Sequence, residues 1–452
     1  MLKTLLLCLS ILFVSLVQVS YGAKKVIFIS FDGFRHDYLD MAEKEGRNIS
    51  AFKAIREQGF QAEVQNVMLT LTFPSHYAMA TGRTVENHGL VGNNFFDPRY
   101  GLAYNYKKNE KNIQSWWFEF GGAEPIWNTN ERHGGRSCVV QWVGSEARVH
   151  NRLAFATAGV YNMAYSLFNR IDRMLDWLLQ PEFNLCMLYF NEPDSAGHSY
   201  GPNSSQVMDA VELTNEGVSY LLQRIDQIPE LKDNVNIIIS SDHGMAYTDC
   251  NTQTVNLSHV MDKDVFRFDS SPATLGLWPK NGTNLTEEDF LKRFDNIEHI
   301  TAYLRKDIPD RYHYKNNRRI APIFVVADQG WLISTRDSPY VDLCKLHLPL
   351  CRFFTSNMKV ISALSDGMHG YDNANPEMHP FMVAAGPDIQ NFKERQLFHQ
   401  IDLYPFICAL LGLDKPNRID GLIDRTIPFM KNPPNETFLA KFRNYAGGII
   451  TP

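Results

Sequence analysis

The chain is expected to fold as an α/β protein, with a mostly parallel central sheet, helices on both faces and a smaller inserted region. Three observations lead there. Four apolar runs, Val26–Ser30, Leu185–Phe190, Val235–Ser240 and Phe381–Ala385, are continuous rather than alternating, and read as parallel strands buried on both faces. Helical patterns lie between them, and strands alternating with helices build sheets covered on both sides. Each of the first three runs passes straight into a polar turn: Phe31-Asp32-Gly33, Asn191-Glu192-Pro193-Asp194 and Ser241-Asp242-His243-Gly244. In open sheets, ligands gather beyond the carboxyl ends of the strands.

Taken in order, the chain starts with a targeting layout. Lys3 precedes the apolar stretch Leu5–Val19, and small residues follow at Ser20 and Gly22, so residues 1–22 are expected to leave as a signal peptide. The stretch is short for a bilayer span of about 20 residues. No other run approaches membrane length, and Gly447–Pro452 lacks the apolar end of a glycolipid-anchor signal. The mature chain is thus expected to be secreted, with no transmembrane anchor. Six sequons, at Asn48, Asn203, Asn256, Asn281, Asn284 and Asn435, agree with export.

Residues 23–452 read as a single catalytic domain, in which the less regular stretch 247–368 is an inserted subregion containing a strand at Ile323–Ala327. Gln206–Ile228 is expected to be a helix. Val207, Val211, Val218, Leu222 and Ile225 form one apolar face, and Ser204 or Ser205 caps its start. In an oxidising compartment, Cys344 and Cys351 are the leading disulfide candidates. Cys186, inside an apolar strand, reads as a buried free thiol, and a partner for Cys250 is not readable. The net charge of -6 and the absence of a basic stripe argue against a nucleic-acid partner.

Five short segments carry the chemistry: Asp32, Thr72, the pair Asp194 and His198, the adjacent Asp242–His243, and His369. Each alone has a plain reading, since Asp32 is also a turn former and His369 also a satisfied structural histidine. Together, carboxylate, imidazole and hydroxyl suit two divalent cations side by side. Two metals about 3.5–4 Å apart clamp the attacking and leaving oxygens of a phosphoryl displacement.

The motifs Ser30-Phe31-Asp32-Gly33-Phe34-Arg35, Thr72-Phe73-Pro74-Ser75-His76, Glu192 to Pro202, Ser241-Asp242-His243-Gly244-Met245 and His369-Gly370-Tyr371-Asp372-Asn373 resemble the ectonucleotide pyrophosphatase/phosphodiesterase family. The likeness runs from about Lys25 to Leu413, and its order and spacing are highly specific. It implies an alkaline-phosphatase-like fold, two zinc ions and a threonine nucleophile. Asp194, His198 and His369 would hold one zinc. Asp32, Asp242 and His243 would hold the other beside Thr72. Asn93 resembles the residue that hydrogen-bonds a non-bridging phosphate oxygen, and Phe73 and Tyr161 resemble the two rings that sandwich a nucleotide base.

The resemblance also has departures. Leu71 stands where nucleotide-cleaving members commonly carry lysine, Ser75 where they often carry asparagine, and Val143 interrupts a Trp-Pro-Gly pattern. The expected activity is hydrolysis of nucleotides or dinucleotides to nucleoside 5'-monophosphates through a phosphothreonine. The rival substrate is a choline phospholipid, which an apolar Leu71 would suit and Phe73 with Tyr161 would not. An inactive binding protein would require a broken ligand set, and no ligand is missing. Thr72 excludes a sulfatase, which converts a cysteine or serine to its aldehyde nucleophile. The sequence leaves the oligomeric state open.

Overall fold

The computed structural model describes residues 24–107, 114–261, 265–280, 282, 286–335 and 366–445. The expected signal peptide, the sequons at Asn281 and Asn284, and the expected Cys344–Cys351 pairing lie outside the described residues.

The central sheet has eight strands. In chain order the first six are β1 (Lys25–Phe31), β2 (Phe60–Gln65), β3 (Arg136–Val140), β4 (Ala156–Thr157), β5 (Phe183–Phe190) and β6 (Val235–Ser240). A separate antiparallel sheet follows, made of β7 (Phe266–Ser270), β8 (Thr274–Pro279), β9 (Ile300–Leu304) and β10 (Ile323–Ala327), in the order β7-β8-β10-β9. The chain then returns to the central sheet with β11 (Phe381–Ala385) and β12 (Gln396–His399). The central order is β12-β2-β11-β6-β1-β5-β3-β4.

The four long strands occur where the apolar runs predict them, to within two residues. Their direction is not uniform. Phe381–Ala385, expected to be parallel, runs antiparallel to both β6 and β2, while the other pairings of this sheet are parallel. A continuous apolar run reports burial on two faces and carries no information about direction.

Alternation along β1 shows why both faces must be covered. Val26 and Phe28 enter one core cluster with Tyr77, Met79, Leu403 and Phe406, whereas Ile27 and Ile29 enter another with Phe52, Ile171 and Val211. Helices supply those partners. α1 (Tyr38–Lys44), α2 (Ser50–Gln58), α4 (Leu167–Leu178) and α6 (Ser205–Asp226) pack on the second face. On the first face lie α3 (Thr72–Thr81) and α7 (Leu403–Leu411). Helix α6 matches the sequence expectation closely, with Ser204 as its cap, accepting from the Val207 amide. Between α4 and α6, the short helix α5 (Asp194–Tyr200) follows β5.

The second sheet leans on the first through its turn. A Cβ built on Gly370 would lie 3.2 Å from Ala273 and 3.1 Å from Leu71, so the β7–β8 turn, Leu71 and the segment after His369 meet at one point. Asp269 at the end of β7 accepts from the Phe96 amide at 3.1 Å, and Arg311 pairs with Asp372.

Cys186 is not a free thiol: it is bonded to Cys138, with Cα atoms 4.6 Å apart. The reason lies in the register. Cys138 on β3 pairs directly with Cys186 on β5, and side chains at paired positions share a face. Cys250 is also disulfide-bonded, and Cys408 is free and buried. The Cys138–Cys186 bridge closes a sequence separation of 48 residues, for which chain entropy gives about 4 kcal/mol and typical measurements give about 2–4 kcal/mol. Cys138→Ala/Cys186→Ala should therefore lower unfolding stability by about that amount in a denaturant titration, with activity retained at low temperature. An unchanged midpoint would show that the bridge contributes nothing.

Candidate functional site

Three strand ends bring the candidate acidic ligands together. At the end of β1, the Asp32 amide donates to Phe190 O at 2.9 Å, and Asp32 O accepts from the Asp194 amide at 3.0 Å, joining the β1 and β5 turns. Asp242 follows β6, and its Oδ1 accepts from the amides of Gly33 and His243, both at 3.0 Å. Gly33 sits at φ 65°, and a Cβ there would lie 2.8 Å from Asp194 Cα, so this turn must be glycine for the two carboxylates to converge. His198 rides one helical turn beyond Asp194 on α5. His369 comes from farther along the chain, held beside Thr70, whose hydroxyl accepts from the Gly370 amide at 2.9 Å.

The imidazoles are prepared in the same way. Nδ1 of His198, His243 and His369 each lies 2.9 Å from a main-chain carbonyl, of Gly367, Gly244 and Thr70 respectively. A carbonyl only accepts, so each Nδ1 carries the proton and each Nε2 presents a lone pair. Those Nε2 atoms point at one another and at carboxylate oxygens. His198 Nε2 is 3.2 Å from His369 Nε2, and Asp194 Oδ1 lies 3.4 and 3.6 Å from the two. His243 Nε2 is 3.4 Å from Asp32 Oδ1 and 3.1 Å from Asp242 Oδ2.

Three of these oxygens, Asp32 Oδ1, Asp194 Oδ1 and Asp242 Oδ2, are buried and accept no hydrogen bond. Lone pairs facing lone pairs in a buried place are repulsive unless a cation sits among them. The edges fit such a cation, because tetrahedral zinc bonds of about 2.0–2.2 Å place ligand atoms about 3.3–3.6 Å apart. The charge balance agrees. Burial, Asp242 and Asp194 push the Asp32 carboxyl well above the usual range. Burial together with His243 and His198 pushes His369 well below the usual imidazole range. Burial opposes ionisation of Asp242, but His243 and His76 beside it hold it below the usual range.

Two groups of three ligand atoms lie within 4.8 Å of one another: Asp32, Asp242 and His243, and Asp194, His243 and His369. His243 thus borders both, its ring stacked on that of His369 at 3.5 Å. The family resemblance implies His198, with Asp194 and His369, at the second of these. Its Nε2 also stands within reach of Asp194 and His369.

Thr72 is the first residue of α3, and its Oγ1 is 3.4 Å from His243 Nε2. A helix N-terminus favours negative charge at this position. Asn93 Oδ1 accepts from the Phe73 amide at 2.9 Å, which fixes the side chain and leaves its NH2 as a donor. Phe73 packs beside Tyr106 and Tyr104, at centroid distances of 5.6 and 6.1 Å. Tyr161 stands 39 % exposed, 5.7 Å from the Tyr189 ring. Leu71 is different: it is 5 % exposed and belongs to the core cluster beneath α3.

Two residues with site contacts escaped the sequence reading. Tyr189 donates its phenol to Asp32 Oδ2 at 2.5 Å, occupying the oxygen that faces away from His243. Buried His76 contacts Ser30 Oγ at 2.9 Å and Thr72 O at 2.8 Å, and its Nδ1 is 3.4 Å from Asp242 Oδ2. His76 had a weak signal, four residues after Thr72 on one helix. Tyr189 had none, since its contact depends on the β1–β5 register.

The chain is similar to known proteins over most of its length. The model of a family described as type I phosphodiesterase / nucleotide pyrophosphatase matches residues 26–372. A bis(5'-adenosyl)-triphosphatase of Xenopus laevis is 33% identical over 412 residues, covering 90% of this chain and 82% of that protein. Ectonucleotide pyrophosphatase/phosphodiesterase family member 5 of Homo sapiens is 33% identical over 398 residues, covering 86% and 75%. Among solved structures, murine ectonucleotide pyrophosphatase/phosphodiesterase 5 gives a TM-score of 0.79 at 30% identity, over 90% of this chain and 100% of that one. An inactive threonine-to-alanine form of the murine protein, in complex with AMP, gives 0.78 at 31% identity over the same shares.

Proposed function

From the premise that the chain belongs to the type I phosphodiesterase / nucleotide pyrophosphatase family, with its alkaline-phosphatase-like fold, we propose that it is a secreted zinc-dependent phosphodiesterase of nucleotides or dinucleotides. One observation carries the reading. Three unsatisfied buried carboxylate oxygens and three imidazole lone pairs converge beside a hydroxyl at a helix N-terminus. Asp194, His198 and His369 would hold one zinc ion, and Asp32, Asp242 and His243, next to Thr72, the other. Bound zinc supplies Lewis-acid stabilisation of the nucleophile and of charge on the phosphoryl oxygens.

The chain's own groups do the rest. Thr72 Oγ1 gives up its proton to solvent and bonds to phosphorus, while the bond from phosphorus to the leaving oxygen breaks and that oxygen leaves with the electron pair, to be protonated by solvent where its basicity requires. Water then displaces Thr72, restoring its hydroxyl and releasing the nucleoside 5'-monophosphate. The Asn93 NH2 donates to a non-bridging oxygen, aimed by its bond to the Phe73 amide. Phe73 and Tyr161 stack on the base, worth about 1–3 kcal/mol per ring by analogy with other base-stacking sites.

Residues 23–452 act as one catalytic unit after removal of residues 1–22. No described helix is long and apolar enough to cross a membrane. The relatives support a nucleotide substrate, one being named as a diadenosine triphosphatase and another seen with AMP. The lipid alternative leaned on Leu71, and burial of that side chain removes its support. The test is a comparison of two nitrophenyl esters, of thymidine monophosphate and of phosphorylcholine. We expect kcat/KM for the thymidine ester to be higher by tenfold or more, since stacking of about 1.4 kcal/mol already gives that factor. Preference for the choline ester would overturn the nucleotide reading.

A further inference from the structure

We propose that Arg170 is a positioning residue for base recognition, holding the exposed loop that carries Tyr161 against the end of β5; the inference rests on the nucleotide reading above. The loop is poorly secured by burial. Val160 is 49 %, Tyr161 39 % and Met163 69 % exposed, so packing fixes little of it. An unsecured ring loses conformational freedom on stacking, and that loss subtracts from affinity.

Arg170, in the first turn of α4, is fully buried and uses its fork on the loop. Its Nε donates to Tyr165 O at 2.8 Å and its Nη2 to Asn162 O at 3.0 Å, gripping the chain on both sides of Met163 and Ala164. Its Nη1 donates to Tyr189 O at 2.6 Å, one residue before the end of β5. The guanidinium carbon lies 5.6 Å from the Tyr161 ring centroid. One planar cation thus ties the loop to the strand whose tyrosine ring Tyr161 packs against.

The second tie is weaker. Gln141 Nε2 donates to Val160 O at 3.0 Å, and its Oε1 accepts from the Asn162 amide. Strand β5 itself does not depend on Arg170, because β1 and β3 hold it on both edges. Removing the guanidinium therefore frees the loop and leaves Tyr189, Asp32 and the ligand cluster in place. Lysine is no substitute, since a single ammonium cannot span three carbonyls in fork geometry.

The experiment compares wild type, Arg170→Lys, Tyr161→Ala and the double variant. Two diesters share one leaving group, the nitrophenyl ester of thymidine monophosphate and methyl nitrophenyl phosphate, which has no base. In Arg170→Lys we expect kcat/KM for the thymidine ester to fall about tenfold, chiefly through KM, with less than about a twofold change for the methyl ester. Tyr161→Ala should show the same split, and the double variant should be no worse than either alone, as expected of two residues acting as one unit. Thermal melts of each variant exclude a global folding defect, and Arg170→Gln, without charge but polar, should reproduce the split if the lysine variant folds poorly. Equal losses on both esters would overturn the proposal, as would a split in Tyr161→Ala that is absent from both Arg170 variants. If wild type does not distinguish the esters and Tyr161→Ala changes nothing, the nucleotide reading itself falls and takes this inference with it.

Discussion

Thr72→Ala should lower kcat on the thymidine ester by on the order of 10^4-fold, about 5.5 kcal/mol of transition-state stabilisation, with little change in the melting temperature. The size follows from the role. Thr72 Oγ1 is a hydroxyl placed beside His243 Nε2, whose other neighbours are the carboxylates of Asp32 and Asp242. The small effect on stability follows from position: Thr72 is only part-buried at the start of α3, and alanine is a good helix former. Thr72→Ser keeps the hydroxyl and should retain activity within about a hundredfold of wild type, the loss reflecting a less restricted χ1. Acid quenching during turnover of a radiolabelled substrate should trap a nucleotidyl ester on the Thr72 oxygen in wild type and nothing at this position in the alanine variant. An alanine variant retaining a tenth of the activity would rule out Thr72 as the nucleophile.

Exhaustive chelation should abolish activity and lower the melting temperature together, and added zinc should restore both. Without a cation, three buried carboxylate oxygens face imidazole lone pairs with nothing to satisfy them. A ligand bound only by the native state stabilises it by about 4 kcal/mol at a thousand times its dissociation constant. Acidification should act in the same direction as chelation, because protons compete with the metal for Nε2 and carboxylate. Asp32 sharpens that competition, since burial, Asp242 and Asp194 already favour its protonated form. Asp242→Asn removes one charge where Gly33, Ser241 and His243 amide or hydroxyl groups still need an acceptor. It should weaken metal retention and cost activity while the turn persists. Activity that survives chelation, with no metal found by elemental analysis, would remove the metal reading altogether.

Much of this was legible in the chain, for definite reasons. Strands such as Val235–Ser240 are rich in β-branched residues, and the helix after Ser204 has both its periodicity and its cap. The candidate ligands Asp32, Asp194, Asp242 and His243 stood out because they lie in the turns that follow such strands. What depended on pairing was not. The direction of Phe381–Ala385, the opposition of Cys138 and Cys186, and the reach of Tyr189 to Asp32 are all set by register between segments far apart in sequence. Leu71 illustrates the same limit. Its neighbour Thr72 opens to the site while Leu71 turns inward, which composition does not record.

The meeting of the β7–β8 turn with Leu71 and Gly370 has a consequence for how this scaffold diversifies. The second sheet contributes none of the described ligand atoms, yet its edge borders the segment that carries His369. Reaction and surroundings are thus encoded in separate stretches of chain. Mutation can reshape the second sheet while the residues that carry the candidate ligand atoms are inherited unchanged.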